Sequence, residues 1–365
     1  MNIISFFNNT QTIRVYNGYF YNIGEAISII ILGLMCGLKN LNQIHIWANS
    51  EIILEFLKEE LGIKKVPCYY WLTVLVKIID IDSLNECFQD WIQSLVCMKD
   101  TTISVDGKYI CSITKKNPLN IISAQLADYG LTLAQSATSD KKNEIVVVQE
   151  LLKKLKIKSC LITADALHCQ EETTKIIVDK KADYLLKVKS NQKNLFNDIK
   201  SYFNENISDK NIDTCEITEK NKNRIEKRTA FISNNITTIS NKEKWANLKT
   251  IGIIKTEVTY KNKVSNSCHF FISSRNLTAE QLLKNARKEW SVETMHWLLD
   301  VHFDEDKCRI TDKNVQISLN IFRKVAINYI KLYKDRNNIK EPLTHIMLKA
   351  LMKPSMLKQI LFTKN

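Results

Sequence analysis

The sequence predicts an α/β protein: a mixed sheet with helices on its faces, preceded by a helical N-terminal segment and interrupted by a β-rich insertion. Three observations predict it. Apolar residues recur at helical spacing from the N-terminus to about residue 98. Short β-branched runs then follow one another between residues 102 and 137, joined by polar turns, as in a β-meander. From residue 143 onward helical and strand-like runs alternate, and strands in succession followed by such alternation describe a mixed sheet.

Taken in order, helices are expected over residues 24–38, 49–61, 69–79 and 83–96, with Ser50 as a cap and the Asp-rich turn IDID before the last. Strands follow at 103–105, 109–113, 120–126 and 131–137. A helix over 143–155 places Ile145, Val148, Leu151, Leu152 and Leu155 on one face. Next come a buried-type strand, 159–164, ending on Asp165; a helix, 170–180; and a strand, 183–188, ending on Lys189. Residues 191–205 read as helical, with Leu195, Ile199 and Phe203 aligned. The runs 212–218, 228–232, 250–260 and 268–272 alternate in a Lys- and Asn-rich background and form the insertion, about 206–276. Helices resume at Thr278, capped by Asn276 or Thr278 with Glu280 near the positive end of the dipole. They run through Glu293, break near 304–311 and continue over 314–333; an amphipathic helical tail covers 341–361. The domain reading is therefore 1–98 (helical), 99–335 (α/β) and 336–365 (tail).

With 365 residues, 45% of them hydrophobic, the chain can bury a sizeable core, which argues against disorder. Its formal charge is +13, yet residues 1–98 hold six Lys or Arg against nine Asp or Glu, so the rest carries +16. That is the footprint of a polyanion partner or of an ordinary solvated Lys-rich surface. Ten cysteines without a C-x-x-C pair point to reduced thiols, not to a disulfide framework or a zinc site. The longest apolar run, 26–38, is too short to span a bilayer and too far in for a secretion signal. A soluble cytoplasmic protein without a membrane partner is expected.

Asp106, in ISVDGK, follows three apolar or small residues and precedes Gly107 and Lys108. The local pattern is a strand ending in an Asp-Gly turn. Asp165 ends a second apolar strand, and two carboxylates at strand ends in a mixed sheet repel unless a divalent cation lies between them. Mg²⁺ or Mn²⁺ suits such all-oxygen ligation. Two-ion chemistry on phosphates needs a third acid. Residues 285–300 offer Glu293, on one stripe with Trp290 and Trp297, beside an apolar stripe of Val292, Met295 and Leu299. An amphipathic helix whose Glu pairs with a nearby Lys is the plainer alternative, and Glu289, Asp300, Asp304, Glu305 and Asp306 are rival acids. Lys108, Lys189, Asn191, Gln192 and Arg287 are candidate phosphate contacts. Asn223, Arg224, Glu226 and Arg228 form a candidate DNA-contacting loop, and Trp290 and Trp297 are candidate base-stacking groups or core. His168 is expected to cap a helix or to meet substrate or metal.

The blocks ISVDGK, KKNEI, LITADALHCQ, ADYLLKVKSNQ and ARKEWSVETMHWLLDVHFDED, in that order and with Asn320 downstream, resemble the DDE transposases of bacterial insertion sequences, in particular the H-repeat-associated family. The likeness covers essentially the whole chain. It implies a ribonuclease H-like core with a β-rich insertion before the last catalytic helix, and a metal-binding triad of Asp106, Asp165 and Glu293 holding two Mg²⁺ or Mn²⁺ ions. It also implies cleavage and strand transfer on DNA, with terminal inverted repeats and target as partners, and a homodimer associated with the bacterial nucleoid. The insertion accounts for the wide gap between Asp165 and Glu293. Some positions depart from the pattern. Related transposases often carry Arg four residues before the Glu and Lys seven after it; here Glu289 and Asp300 stand there, with Arg287 the nearest basic substitute, and Ser190 replaces a usual Gly. Two other readings are a domesticated or decayed copy that binds DNA without cutting it, and a glycosidase using paired carboxylates, for which the basic excess has no use.

Overall fold

The computed structural model describes residues 3–14, 21–110, 119–138, 144–261 and 263–362. The later part of the strand expected at 109–113, the helix start at Asn143 and the first three residues of KKNEI lie outside them. Six helices open the chain: α1 (Ile3–Phe7), α2 (Ile23–Met35), α3 (Leu41–Ala48), α4 (Glu51–Leu61), α5 (Tyr69–Ile78) and α6 (Ile81–Leu95). Nearly all of α2 is buried, which is why it is apolar on every side; it packs between α1, α3 and a late helix, α12 (below). Side chains of Asn22, Asn40 and Asp80 cap α2, α3 and α6. Ser50, expected to cap α4, does not: its hydroxyl donates backward to the Trp47 carbonyl at 2.7 Å.

The sheet has nine strands in the order β3-β2-β1-β4-β5-β9-β8-β7-β6. The meander is β1 (Thr102–Ile110), β2 (Leu119–Leu126) and β3 (Leu131–Thr138). After α7 (Glu144–Lys154), β4 (Leu161–Ala164) pairs parallel to β1; after α8 (Glu171–Asp179), β5 (Asp183–Val188) pairs parallel to β4. Helix α9 (Lys193–Asn206) leads to an antiparallel run of β6 (Asp213–Asn221), β7 (Arg224–Ser233), β8 (Thr250–Tyr260) and β9 (Lys263–Ser273). Through β9 against β5 this run extends the same sheet. Next come α10 (Ala279–Lys288), α11 (Ser291–Phe303), α12 (Lys313–Arg336), α13 (Leu343–Met352) and α14 (Pro354–Leu361). The helical tail is made of two helices, and Pro354 begins the second at a position where its missing N–H costs nothing.

Two expectations change. The strands expected at 103–105 and 109–113 belong, in their described part, to one strand. β1 runs unbroken through Asp106 and Gly107, which pair with Ser123 and Ile122 of β2, so the long ladder overrides the local Asp-Gly turn signal. The single helix expected to run through Glu293 is broken between α10 and α11. The Lys288 carbonyl, which a continuing helix would use, accepts instead from the Ser104 hydroxyl of β1 at 2.9 Å.

One hydrophobic core runs from α1 to α14. Helix α12 threads it, touching α2, α5 and α6 on one side and β3 on the other, so the segments 1–98 and 336–365 share their packing with the sheet. Edge strand β3 is sealed by side-chain amides. Asn328 of α12 donates to the Thr132 carbonyl at 2.8 Å and accepts from its N–H at 3.1 Å, and Asn85 of α6 accepts from the Gln135 N–H at 3.2 Å. An unpaired strand edge would otherwise be a template for association. A smaller cluster, including Leu185, Ile232, Phe271 and Leu282, seats α10 on β5, β7 and β9. Among the described residues no helix is long and apolar enough to cross a membrane, and the described cysteines are free.

Replacing Asn328 by Ala strands a buried N–H and a buried carbonyl on β3, at about 1–3 kcal/mol for each unsatisfied group. A stability loss of roughly 2–4 kcal/mol in urea denaturation is expected.

Candidate active site

The parallel ladder between β1 and β4 ends at Val105 and Ala164. One residue further on each chain are Asp106 and Asp165, set side by side at the carboxyl end of β4, where open α/β sheets form their crevices. The row extends to β5: Ala164 pairs with Leu186, so Lys187 follows Asp165 in register. Side chains alternate along a strand, so Thr102, Ser104, Asp106 and Lys108 share one face of β1, the face against α10 and α11.

The acids here disturb one another. Burial, then the neighbouring charges of Glu144, Glu293 and Asp165, push the Asp106 carboxyl up to about 6, against a hydrogen bond from the Gly107 backbone that favours the charged form. Burial pushes Glu289 up to about 7; Asp165 and Asp106 add to this, while Lys187 and Lys189 oppose it. Asp165 goes the other way. Burial would raise it, but the Ala166 backbone and Lys189, whose Nζ lies 3.3 and 3.4 Å from its two oxygens, hold it below its ordinary value. Glu293 sits exposed in the first turn of α11, near enough for its charge to be felt at Asp106.

Glu144, which spacing did not single out, is the first charge felt at Asp106. It begins α7, accepts from Asn120 at 2.9 Å and Tyr109 at 3.2 Å, and lies 3.5 Å from His168 Nε2. Gly107 packs closely here: a Cβ there would lie 3.0 Å from the Asn120 side chain and 3.3 Å from Glu144 Oε1. In sequence the only signal was the Glu inside KKNEI, which reads as an ordinary acid at a helix start. His168 is 1% exposed and its turn is packed against Glu144, so it neither caps a helix nor faces solvent.

The remaining candidates have definite places. Lys108 is not free for phosphate: it pairs with Asp300 and lies 3.4 Å from Asp306 and 3.6 Å from Glu305. The Asn191 and Gln192 amides donate to the Ala166 and Cys169 carbonyls at 2.8 and 2.9 Å, bracing the turn after Asp165. Arg224 pairs with Glu226, Arg228 with Glu226 and Glu219, and Arg287 with Glu219, which ties α10 to the β6–β7 hairpin. A cavity of about 210 Å³ lies there, lined by Lys187, Arg228, Arg287, Glu289 and Trp290 among others. Trp290 and Trp297 are 58% and 59% exposed, not core-facing. At about 100° per residue their stripe falls opposite Val292, Met295 and Leu299, which are buried.

As ligand chemistry, Asp106, Asp165 and Glu293 offer only oxygens and repel one another, which a divalent cation would relieve. In this arrangement no three His, Cys, Asp or Glu side chains among the described residues lie close enough together to enclose an ion. Lys189 is instead the cation that Asp165 holds.

Fold and site together define an α/β protein with an acidic cluster at the carboxyl end of a parallel strand pair. Residues 94–329 match the Transposase DDE domain family, well over half of the chain, and the protein belongs to that family. Among its relatives, "Putative transposase YncI" of Escherichia coli O157:H7 is 29% identical over 327 residues, 86% of this chain and 83% of that protein. "H repeat-associated putative transposase YhhI" of Escherichia coli K12 is 27% identical over 323 residues, 85% of each. A solved structure, the cryo-EM piggyBac transposase synaptic complex with hairpin DNA, matches with a TM-score of 0.44 and 11% identity over 98% of this chain and 79% of that one. Similarity at that level fixes neither fold nor chemistry.

A carboxyl whose folded pKa lies above its unfolded value adds stability at low pH and loses it as pH rises through the folded value. For Asp106 that loss runs from about pH 4 to above its folded value of about 6. Asp106→Asn, assayed without metal, is therefore expected to raise stability at pH 8 by about 1–3 kcal/mol and to change it little at pH 4, as read by thermal denaturation.

Proposed function

We propose that this chain is an active DDE transposase: it cuts DNA strands at the terminal repeats of its own element and joins the freed 3′ hydroxyls to target DNA. The observation that carries the reading is the row at the end of the β1–β4 ladder, where strand register puts Asp106 beside Asp165 and folding brings Glu293 within electrostatic reach. The order β3-β2-β1-β4-β5, with β1, β4 and β5 parallel and β2 antiparallel, supports a ribonuclease H-like core, and β6 to β9 are its β-rich insertion before α11.

Asp106, Asp165 and Glu293 would hold two Mg²⁺ or Mn²⁺ ions, which when bound supply charge neutralisation at the attacking and leaving oxygens. Everything else falls to the protein. Asp106 must ionise, so its affinity for a cation grows as pH rises through about 6. Lys189 must give up Asp165; at 54% side-chain exposure it can swing away to a phosphate. Lys187 and Arg287, which line the cavity beside Glu289, would meet the DNA backbone, and exposed Trp290 and Trp297 would stack on bases. A homodimer that pairs the two element ends, acting at the nucleoid in the cytoplasm, completes the reading.

The Lys189–Asp165 pair, in which a cation of the protein itself already sits on one of the acids, favours a second reading, a chain that binds DNA without cutting it. Two experiments separate them. Asp106→Asn should abolish Mn²⁺-dependent cleavage of a terminal-repeat duplex while duplex binding stays within a few fold, and cleavage retained by that variant would sink the triad. In cells, wild type should excise the element and Glu293→Gln should not; equal, background-level excision by both would support the non-catalytic reading.

A further inference from the structure

The polar face of β1 is zipped to the α10–α11 segment, and the zipper is open at one rung. At its lower end Lys288 Nζ donates to Thr102 Oγ1 at 3.0 Å, Thr102 Oγ1 to Asn285 Oδ1 at 3.1 Å, and Ser104 Oγ to the Lys288 carbonyl at 2.9 Å. At its upper end Lys108 pairs with Asp300. The order of these contacts shows that strand and helix run in the same direction. Strand β1 and the α10–α11 segment are thus the two rails of the zipper. Asp106 lies between the two closures on one rail and Glu293 between them on the other.

The upper closure is built, not incidental. The Lys108 side chain is 13% exposed and Glu305 1%. Glu305 is itself fixed by Asn320 Nδ2 at 2.6 Å and by Arg323 Nη1 at 3.4 Å, both from α12. Burial alone would lower the Lys108 pKa, and Asp300, Glu305 and Asp306 together hold it above its ordinary value, so the cation stays charged. Asp300 lies seven residues, close to two turns, beyond Glu293 on the same line of α11.

We propose that Lys108 and Asp300 are positioning residues: their ion pair, backed by Glu305 and α12, fixes α11 against β1 and so sets the separation of Asp106 and Glu293. The pair itself touches neither ion nor DNA. This rests on the reading of Glu293 as an active-site carboxylate.

The test compares Asp300→Asn, Lys108→Met, Lys108→Arg and Glu293→Gln with wild type in the full-length chain, by two measurements that need no turnover. Hydrogen exchange of α11 amides without metal reads the clamp, and Mn²⁺ titration of the DNA-bound chain, followed by the resonance of free Mn²⁺, reads its consequence. Asp300→Asn and Lys108→Met should speed α11 exchange at least tenfold relative to α12 and weaken Mn²⁺ binding at least fivefold, with Lys108→Arg within twofold of wild type on both. Unchanged α11 exchange in Asp300→Asn overturns the clamp, as does unchanged Mn²⁺ affinity in that variant when Glu293→Gln loses it. If Glu293→Gln binds Mn²⁺ like wild type, the triad fails instead and α11 exchange alone judges the clamp. Asp300 is one-third exposed, so Asp300→Asn carries the test if Lys108→Met does not fold.

Discussion

Parallel pairing sets residues of neighbouring strands about 4.8 Å apart, and in β1 and β4 the first residues past the last shared pair are both aspartates. Two like charges set on neighbouring strand ends disfavour one another, and at Asp106 burial and the charges of Glu144 and Glu293 weigh in the same direction. The protein answers in several ways at once. Asp165 takes Lys189, Asp106 stays protonated further up the pH scale, and Glu293 is left in solvent at the start of a helix, where the dipole favours it. The rest of the crevice follows from that row. Lys187 occupies the next place on it, and the turn after Asp165 is braced from behind by Asn191 and Gln192.

Much of this was legible in the sequence because it depends on period. The alternating runs of β6 to β9, the α/β alternation after residue 143 and the buried face of α7 all follow from side-chain spacing, and so does the placing of Asp165 at a strand end. What was not legible depends on partners distant in the chain. The Asp-Gly dipeptide signals a turn by itself, and only the ladder to β2 keeps it extended. Residues 285–300 have helical spacing throughout, yet α10 stops at Lys288, whose carbonyl accepts from the Ser104 hydroxyl more than 180 residues away. Glu144 looks like any acid at a helix start until Gly107, Asn120 and His168 surround it. The exposure of the two tryptophans is a different case. A turn of about 100° per residue already puts them opposite the apolar stripe, so here the pattern held the answer and stripe adjacency was the wrong inference.

The helical segments at the two ends of the chain also bear on the crevice, through α12. Its Asn328 seals β3, its Asn320 and Arg323 hold Glu305, and its fully buried Lys324 donates to Ser123 and Gln135 at 2.7 and 2.6 Å. Ser123 is the cross-strand partner of Asp106. Burial pulls the Lys324 ammonium down to about 7, which Glu305 opposes and Lys108 reinforces. One helix thus braces the strand beside the first aspartate and the closure beyond the third acid, and α2, α5 and α6 hold that helix from outside.

Several basic side chains near the acids are already paired. Arg224, Arg228 and Arg287 are spent on Glu219 and Glu226, and Lys189 on Asp165. Several of these pairs are half exposed, and an exposed ion pair is worth only about 0–1 kcal/mol. A phosphate arriving at such a pair therefore displaces little, while the released counterions favour its binding. The same weakness makes the acids available: each cation that turns to a phosphate uncovers a carboxylate beside it. At Asp165 that carboxylate belongs to the row at the end of β4. A polyanion and a divalent cation would thus assist each other's binding at the crevice, each taking one member of a pair that neither could separate as easily alone.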